Sequence, residues 1–318
     1  MSRTSRSVIP IFVSAIFAVL GGCSKTAEEP APATAMPPPA PATESPPAAS
    51  RETGTFRIGE FQAVALRDGD LELPNDNKVF GVGRTPAEVA AVLSAAGLPT
   101  DKLKLDIHPL LVKTPDRVLL FDTGAGNNFG PGAGKLSGSL AAAGVDPQSV
   151  TDIFISHSHG DHVGGLVNAE GNLVFPNASI HLSKAEWAYM SGLDHYKAIV
   201  PVLAAKVGAF APGAELIPGV VTAVDIKGHT PGHSGYRITS GSDSLLYVGD
   251  SMHHFVVSVQ KPEWTCGFDG DAATASASRA ALISQLATSG ERVYAVHFPF
   301  PGLGKMEKRG GGIVWVAE

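Results

Sequence analysis

Cysteine is nearly missing from this chain. Cys23 and Cys266 are the only two in 318 residues, so a scaffold stapled by several disulfides is excluded. An excess of basic charge is missing too. Lys and Arg number 24 against 30 Asp and Glu, a net charge of −6, which is not the electrostatic footprint of a nucleic-acid partner. Charged residues make up 17% and hydrophobic ones 44%, so apolar material for a packed core is ample. No apolar run reaches the roughly 20 residues that cross a bilayer; the one near the start, residues 8–20, is too short. There is no repeat of solenoid period, and no GxSxG elbow that would support a covalent serine mechanism.

What is present falls into three stretches. Arg3 and Arg6 precede the apolar run, which closes on Leu20-Gly21-Gly22-Cys23. A charged start, a short apolar middle and small residues at the end describe a signal peptide over 1–23. An ordinary signal peptide with an incidental cysteine is one reading. The other rests on resemblance to the bacterial lipobox, which implies acylation of Cys23 and a lipid anchor facing the periplasm. Ser24 after the cysteine resembles the outer-membrane pattern, if the cell is Gram-negative. In that case Cys266 has no partner. Residues 24–52 are rich in Ala, Pro, Glu, Ser and Thr, with Pro37-Pro38-Pro39 and Pro46-Pro47. Such a segment buries too little apolar surface to order itself and reads as a semi-rigid tether. Residues 53–318 read as the folded domain.

Within that domain, 61–66 reads as a strand and Arg67-Asp68-Gly69-Asp70 as a hairpin turn. Thr85-Pro86-Ala87-Glu88 is a capping box that opens a helix to about Ala96. Strands are expected at 103–112, 117–121, 151–156, 180–182, 221–226, 236–239, 245–248 and 293–296. Further helices are expected at 136–143, after Val163, and at 272–288. Clusters of strands interrupted by helices suggest an α/β fold of sheets covered by helices.

Chemistry concentrates in His157-Ser158-His159-Gly160-Asp161-His162, which follows a buried strand. Residues two apart in an extended segment point the same way, so His157 and His159 can reach one metal. After the turn at Gly160, Asp161 and His162 can face a second. Imidazole with carboxylate suits zinc and its neighbours. Gly228-His229-Thr230-Pro231-Gly232-His233, Gly249-Asp250 and His297 each follow a strand and place further candidate ligands where loops gather.

In this order, HxHxDH, GHTPGH, GD and a late histidine resemble the metallo-β-lactamase superfamily. Phe175-Pro176-Asn177-Ala178, His297-Phe298-Pro299 and Asp122-Thr123-Gly124 with Phe129-Gly130-Pro131 are similar to its methyl parathion hydrolase and lactonase-like branch. The resemblance implies a four-layer αβ/βα sandwich holding two divalent metal ions, zinc by default. It gives His157, His159 and His229 to one ion, Asp161, His162 and His297 to the other, and Asp250 to both. It makes Asp122 an acid that orients a ligand histidine and His233 a structural histidine. It places Phe129, Met190 and Phe255 beside the metals as an apolar wall, with simple packing of Phe129 under its loop equally open. His253 and His254, just past Asp250, reach substrate or sit on a solvated loop. Where relatives commonly continue Gly-Leu-Gly with His, Lys305 stands.

The implied reaction is attack of a metal-bridging hydroxide on a neutral ester, lactone or phosphotriester, with Asp161 and Asp250 as catalytic residues. β-Lactamase activity, a di-iron redox protein and a non-catalytic envelope metal-binding protein are the alternatives. A homodimer is compatible with the sequence; a nucleic-acid partner is not expected.

Overall fold

The computed structural model describes residues 52–318. The expected leader at 1–23, and the tether at 24–52 except its last residue, lie outside the described residues.

The layering follows from alternation of side chains along strands whose two faces are both buried. In Val118–Phe121, Leu119 and Phe121 join a cluster with Tyr236, Leu245 and Tyr247. Leu120 faces the other way, into a cluster with Leu136 and Leu140 of the helix Leu136–Ala142 and Met190 of the helix Lys184–Gly192. Asp243–Tyr247 repeats the split. Leu245 and Tyr247 face inward, while Leu246 packs with Leu282, Ile283 and Leu286 of the helix Ala272–Ser289. Two sheets therefore pack face to face with helices outside them, and the expected four-layer sandwich is what the chain builds.

The first sheet has seven strands, in the order Thr53–Ile58, Phe61–Leu66, Leu110–Lys113, Val118–Phe121, Asp152–Phe154, Ser179–Ser183, Val207–Phe210. The second runs Glu215–Ile217, Val221–Asp225, Ser234–Ser240, Asp243–Tyr247, Arg292–Tyr294, Leu303–Arg309, Gly312–Ala317. Each contains parallel pairs: Val118–Phe121 with Asp152–Phe154, and Asp243–Tyr247 with Arg292–Tyr294. The carboxyl ends of these pairs carry the loops with the candidate ligands, the usual place for a ligand in an α/β sheet.

Helix ends follow their local signals. Thr85 and Glu88 form the capping box, Asp271 caps the helix Ala272–Ser289, and Gly290 ends it at φ 68°.

Three expectations are corrected. Arg67 to Asp70 is not a hairpin: Phe61–Leu66 pairs with Leu110–Lys113, while Gly69–Pro74 leaves to pair with Lys102–Ile107 in a separate two-stranded sheet. The reason is Asp68, which is buried and accepts backbone N–H bonds from Ala125, Gly134 and Leu136. The strand expected at 103–112 breaks at His108-Pro109, because proline cannot donate into a ladder. The helix expected after Val163 is the single turn Gly160–Val163. Gly164 and Gly165 run so close to Ala125 O and Thr123 O that a Cβ would lie 2.2 and 2.1 Å from them. The edge strand Thr53–Ile58 and the hairpin Leu303–Arg309 with Gly312–Ala317 were not among the expected elements.

Candidate metal centre

Asp152–Phe154 runs on in extended form to His157 and His159, and the turn at Gly160 swings Asp161 and His162 onto a second face. The other sheet brings His229, Asp250 and His297 to the same point. Two donor groups result. One atom from each of His157, His159, His229 and Asp250 lies within 4.8 Å of the rest, and the same holds for Asp161, His162 and His297.

Asp250 joins the two. Its Oδ2 is 3.6 Å from His157 Nε2 and 3.4 Å from His229 Nε2. Its Oδ1 is 3.2 Å from His162 Nε2 and 3.1 Å from His297 Nε2. Asp161 Oδ2 stands 3.5 Å from the Nε2 atoms of His162 and His297. All seven residues proposed from the sequence as ligands are thus brought together.

The surroundings aim the rings. His162 donates from Nδ1 to Asp122 (2.7 Å), His229 to Asp269 (3.1 Å), His297 to the Asp106 carbonyl (2.8 Å) and His157 to Ser156 Oγ (3.0 Å). With Nδ1 so engaged, each ring in its neutral form turns Nε2 to the centre as an acceptor, the tautomer a ligand histidine needs. Asp122 also accepts from Ser156 N, Ser156 Oγ and Tyr247 OH, so it is itself fixed. His233 donates to the Ile226 carbonyl and accepts the Asp250 N–H, holding that backbone in place.

The electrostatics fit a cation. Burial opposes charge on Asp250, yet the surrounding histidines, His162 and His297 foremost, hold its carboxyl well below the usual range. Burial likewise opposes charge on His162, but Asp250, Asp161 and Asp122 push its pKa well above the ordinary value. Burial first, then His162, holds His157 well below its ordinary value. His162 Nε2 and Asp250 Oδ1 are buried with no hydrogen-bond partner. Orphaned donor atoms of this kind, imidazole and carboxylate together, are the set a divalent zinc-like ion satisfies.

A cavity of about 230 Å³ opens on the cluster, walled by Leu71, Leu105, Phe129 and Phe268, with His253 at its side. A wider cleft of about 760 Å³ adjoins it, sharing His159 and Phe268. Of the three residues expected as an apolar wall, Phe129 lines this cavity. Met190 and Phe255 do not. Met190 is 1% exposed in the core beneath the first sheet, and Phe255 packs on Phe298 and Trp315. Both are apolar residues drawn into a core rather than to the cavity. The solvated loop considered for His253 and His254 is also corrected, since both are buried. His253 Nε2 is 3.2 Å from Asp250 Oδ2, whereas His254 turns away to accept the N–H groups of Val256 and Val257. The spacing of His253, one turn after Asp250, was the signal for it. Asp269, Leu71, Leu105 and Phe268 carried none.

A sandwich with a histidine–aspartate cluster between the carboxyl ends of its two sheets defines a metal-binding hydrolase architecture. The chain belongs to the metallo-β-lactamase superfamily, whose family model matches residues 106–297. A solved structure of AidC, a dizinc quorum-quenching lactonase in complex with a product N-hexanoyl-L-homoserine, is 30% identical. It superposes with a TM-score of 0.79 over 84% of this chain and 97% of that one. An N-acyl homoserine lactonase of a Bacillus species is 26% identical over 202 residues, 57% of this chain and 77% of its own length. The probable metallo-hydrolase Rv2300c of Mycobacterium tuberculosis is 26% identical over 186 residues, 46% of this chain; the match spans 57% of that relative.

Proposed function

We propose that the protein is a binuclear metal-dependent hydrolase acting on neutral, partly hydrophobic lactones and aryl esters, with phosphotriesters as a related class. The observation that carries this reading is Asp250, whose two carboxylate oxygens each face a different donor group beside an apolar-walled cavity. Two divalent ions bound there would supply the Lewis acidity that activates water and polarises the attacked bond.

The chain's own residues supply the rest. His157, His159 and His229 would hold one ion and Asp161, His162 and His297 the other, with Asp250 shared between the two groups. Asp161, which lines the cavity, would accept the proton of the attacking water. His253 Nε2 is buried without a hydrogen-bond partner beside the cavity, within reach of a polar atom of the substrate. Leu71, Leu105, Phe129 and Phe268 bury the apolar part of a substrate, each large side chain's worth of contact contributing roughly 1.5–3 kcal/mol. Among the described residues, no lysine or arginine lines this cavity, so apart from the donor cluster and His253 a charged phosphomonoester finds no cationic side chain there. The lactonases among the similar proteins support the lactone class.

Elemental analysis with a panel of lactones, aryl esters, phosphotriesters and phosphomonoesters tests the reading. Two ions per chain and turnover of a neutral substrate are expected. A metal content near zero in replete buffer, or a kcat/KM for a phosphomonoester above that of every neutral substrate, overturns it.

A further inference from the structure

Glu186 touches none of the seven donors, yet it is fully buried beside them. It sits in the first turn of the helix Lys184–Gly192. Its Oε1 accepts from Ser158 N (2.9 Å) and Ser158 Oγ (2.6 Å). Its Oε2 accepts from Thr230 Oγ1 (2.7 Å) and Gly232 N (2.9 Å). Ser158 lies between His157 and His159, and Thr230 follows His229. One carboxylate therefore ties together the two loops that carry all three histidines of the first donor group.

The tie is reinforced at its root. Ser183 Oγ accepts the Glu186 N–H and donates to the Gly232 carbonyl, so the helix start is bound to the second loop as well. Gly232 comes so near that a Cβ there would meet Glu186 N at 2.2 Å. Four donors converging on two oxygens require a group that only accepts, and a carboxylate is the side chain that does so. The other donor group has supports that Glu186 does not touch, His162 on Asp122 and His297 on the Asp106 carbonyl, with Ser156 Oγ as the one link from Asp122 to His157.

We propose that Glu186 is a positioning residue that sets the three-histidine half of the metal site in preference to the other half. This rests on the two-ion reading above. It makes a prediction that a merely structural role does not: losing Glu186 weakens one ion and spares its neighbour.

The test is Zn2+ competition against a chromophoric chelator, alongside the melting temperature of metal-free protein. His159→Ala and His297→Ala identify which binding phase belongs to which group. In Glu186→Gln the amide nitrogen faces backbone or hydroxyl donors it cannot accept from. The phase lost in His159→Ala should weaken by about 10–100-fold and the other should stay within about threefold. Thr230→Val keeps the shape and removes a single donor, so it should move the same phase by less. It carries the test if Glu186→Gln does not fold. Both phases weakening alike, or neither moving while the melting temperature falls, overturns the proposal. Wild-type protein that binds no Zn2+ removes the two-ion reading itself, a different result from wild type binding two ions with variants unchanged.

Discussion

The donor cluster and the wall of the cavity beside it are built in opposite ways. The donors come from four short segments, each following the carboxyl end of a strand, and four of the five histidine rings are held at Nδ1 by a named partner. The wall comes from residues scattered along the chain: Leu71 and Leu105 on the small two-stranded sheet, Phe129 and Phe268 on loops. Phe129 and Phe268 are 38% and 37% exposed, while Asp250 is 4% exposed, so the loop-borne half of the wall is far less enclosed than the cluster. Enclosed chemistry beside a more open wall allows one reaction to be turned on different substrates.

Four variants sharpen or break that contrast, ranked by effect on turnover. Asp250→Asn removes the group shared by both donor sets, and should lower metal content and cut turnover by more than about a hundredfold. Metal analysis with steady-state kinetics checks this, and wild-type values for both would end the contrast. Asp122→Asn leaves every donor in place but loosens His162; metal binding should weaken by about 10–100-fold, read by chelator competition. Phe129→Ala acts on the wall alone. KM for a neutral substrate should rise by about three- to tenfold, from the lost apolar contact, with metal content unchanged. Met190→Ala lies outside both regions. It should cost about 2–5 kcal/mol of stability through the cavity it leaves, visible in thermal unfolding, with KM and metal content as in wild type. A raised KM there would return Met190 to the wall.

The same contrast explains what could be read in advance. Three histidines and an aspartate within six residues have few structural uses, so the cluster was legible from residue type and spacing. Asp122 was legible through its place in a family motif. An apolar wall residue looks like a core residue, so nothing local separated Phe129 from Met190 or Phe255, and Phe268 gave no sign. Strand interiors were mostly placed correctly because alternation and β-branched runs are local. The hairpin expected at Asp68-Gly69 failed because a buried carboxylate bonded to residues 57 to 68 positions away outweighed a local turn signal. His253 looked solvated because its burial depends on Cys266 and Phe268, which pack on it from a later segment.

The division of the seven donors between the sheets bears on assembly. His157, His159, Asp161 and His162 follow strands of the first sheet; His229, Asp250 and His297 belong to the second. The chain passes from one sheet to the other once, through Ala211, Pro212 and Gly213, all exposed. Neither half contains a complete donor set, so the centre cannot exist until the sheets have docked. Loading is then a late event that reports on a finished molecule. A cut at that exposed crossing would divide the chain into two pieces, four donors on one and three on the other, and recovery of the centre on mixing them would measure how well the halves recognise each other.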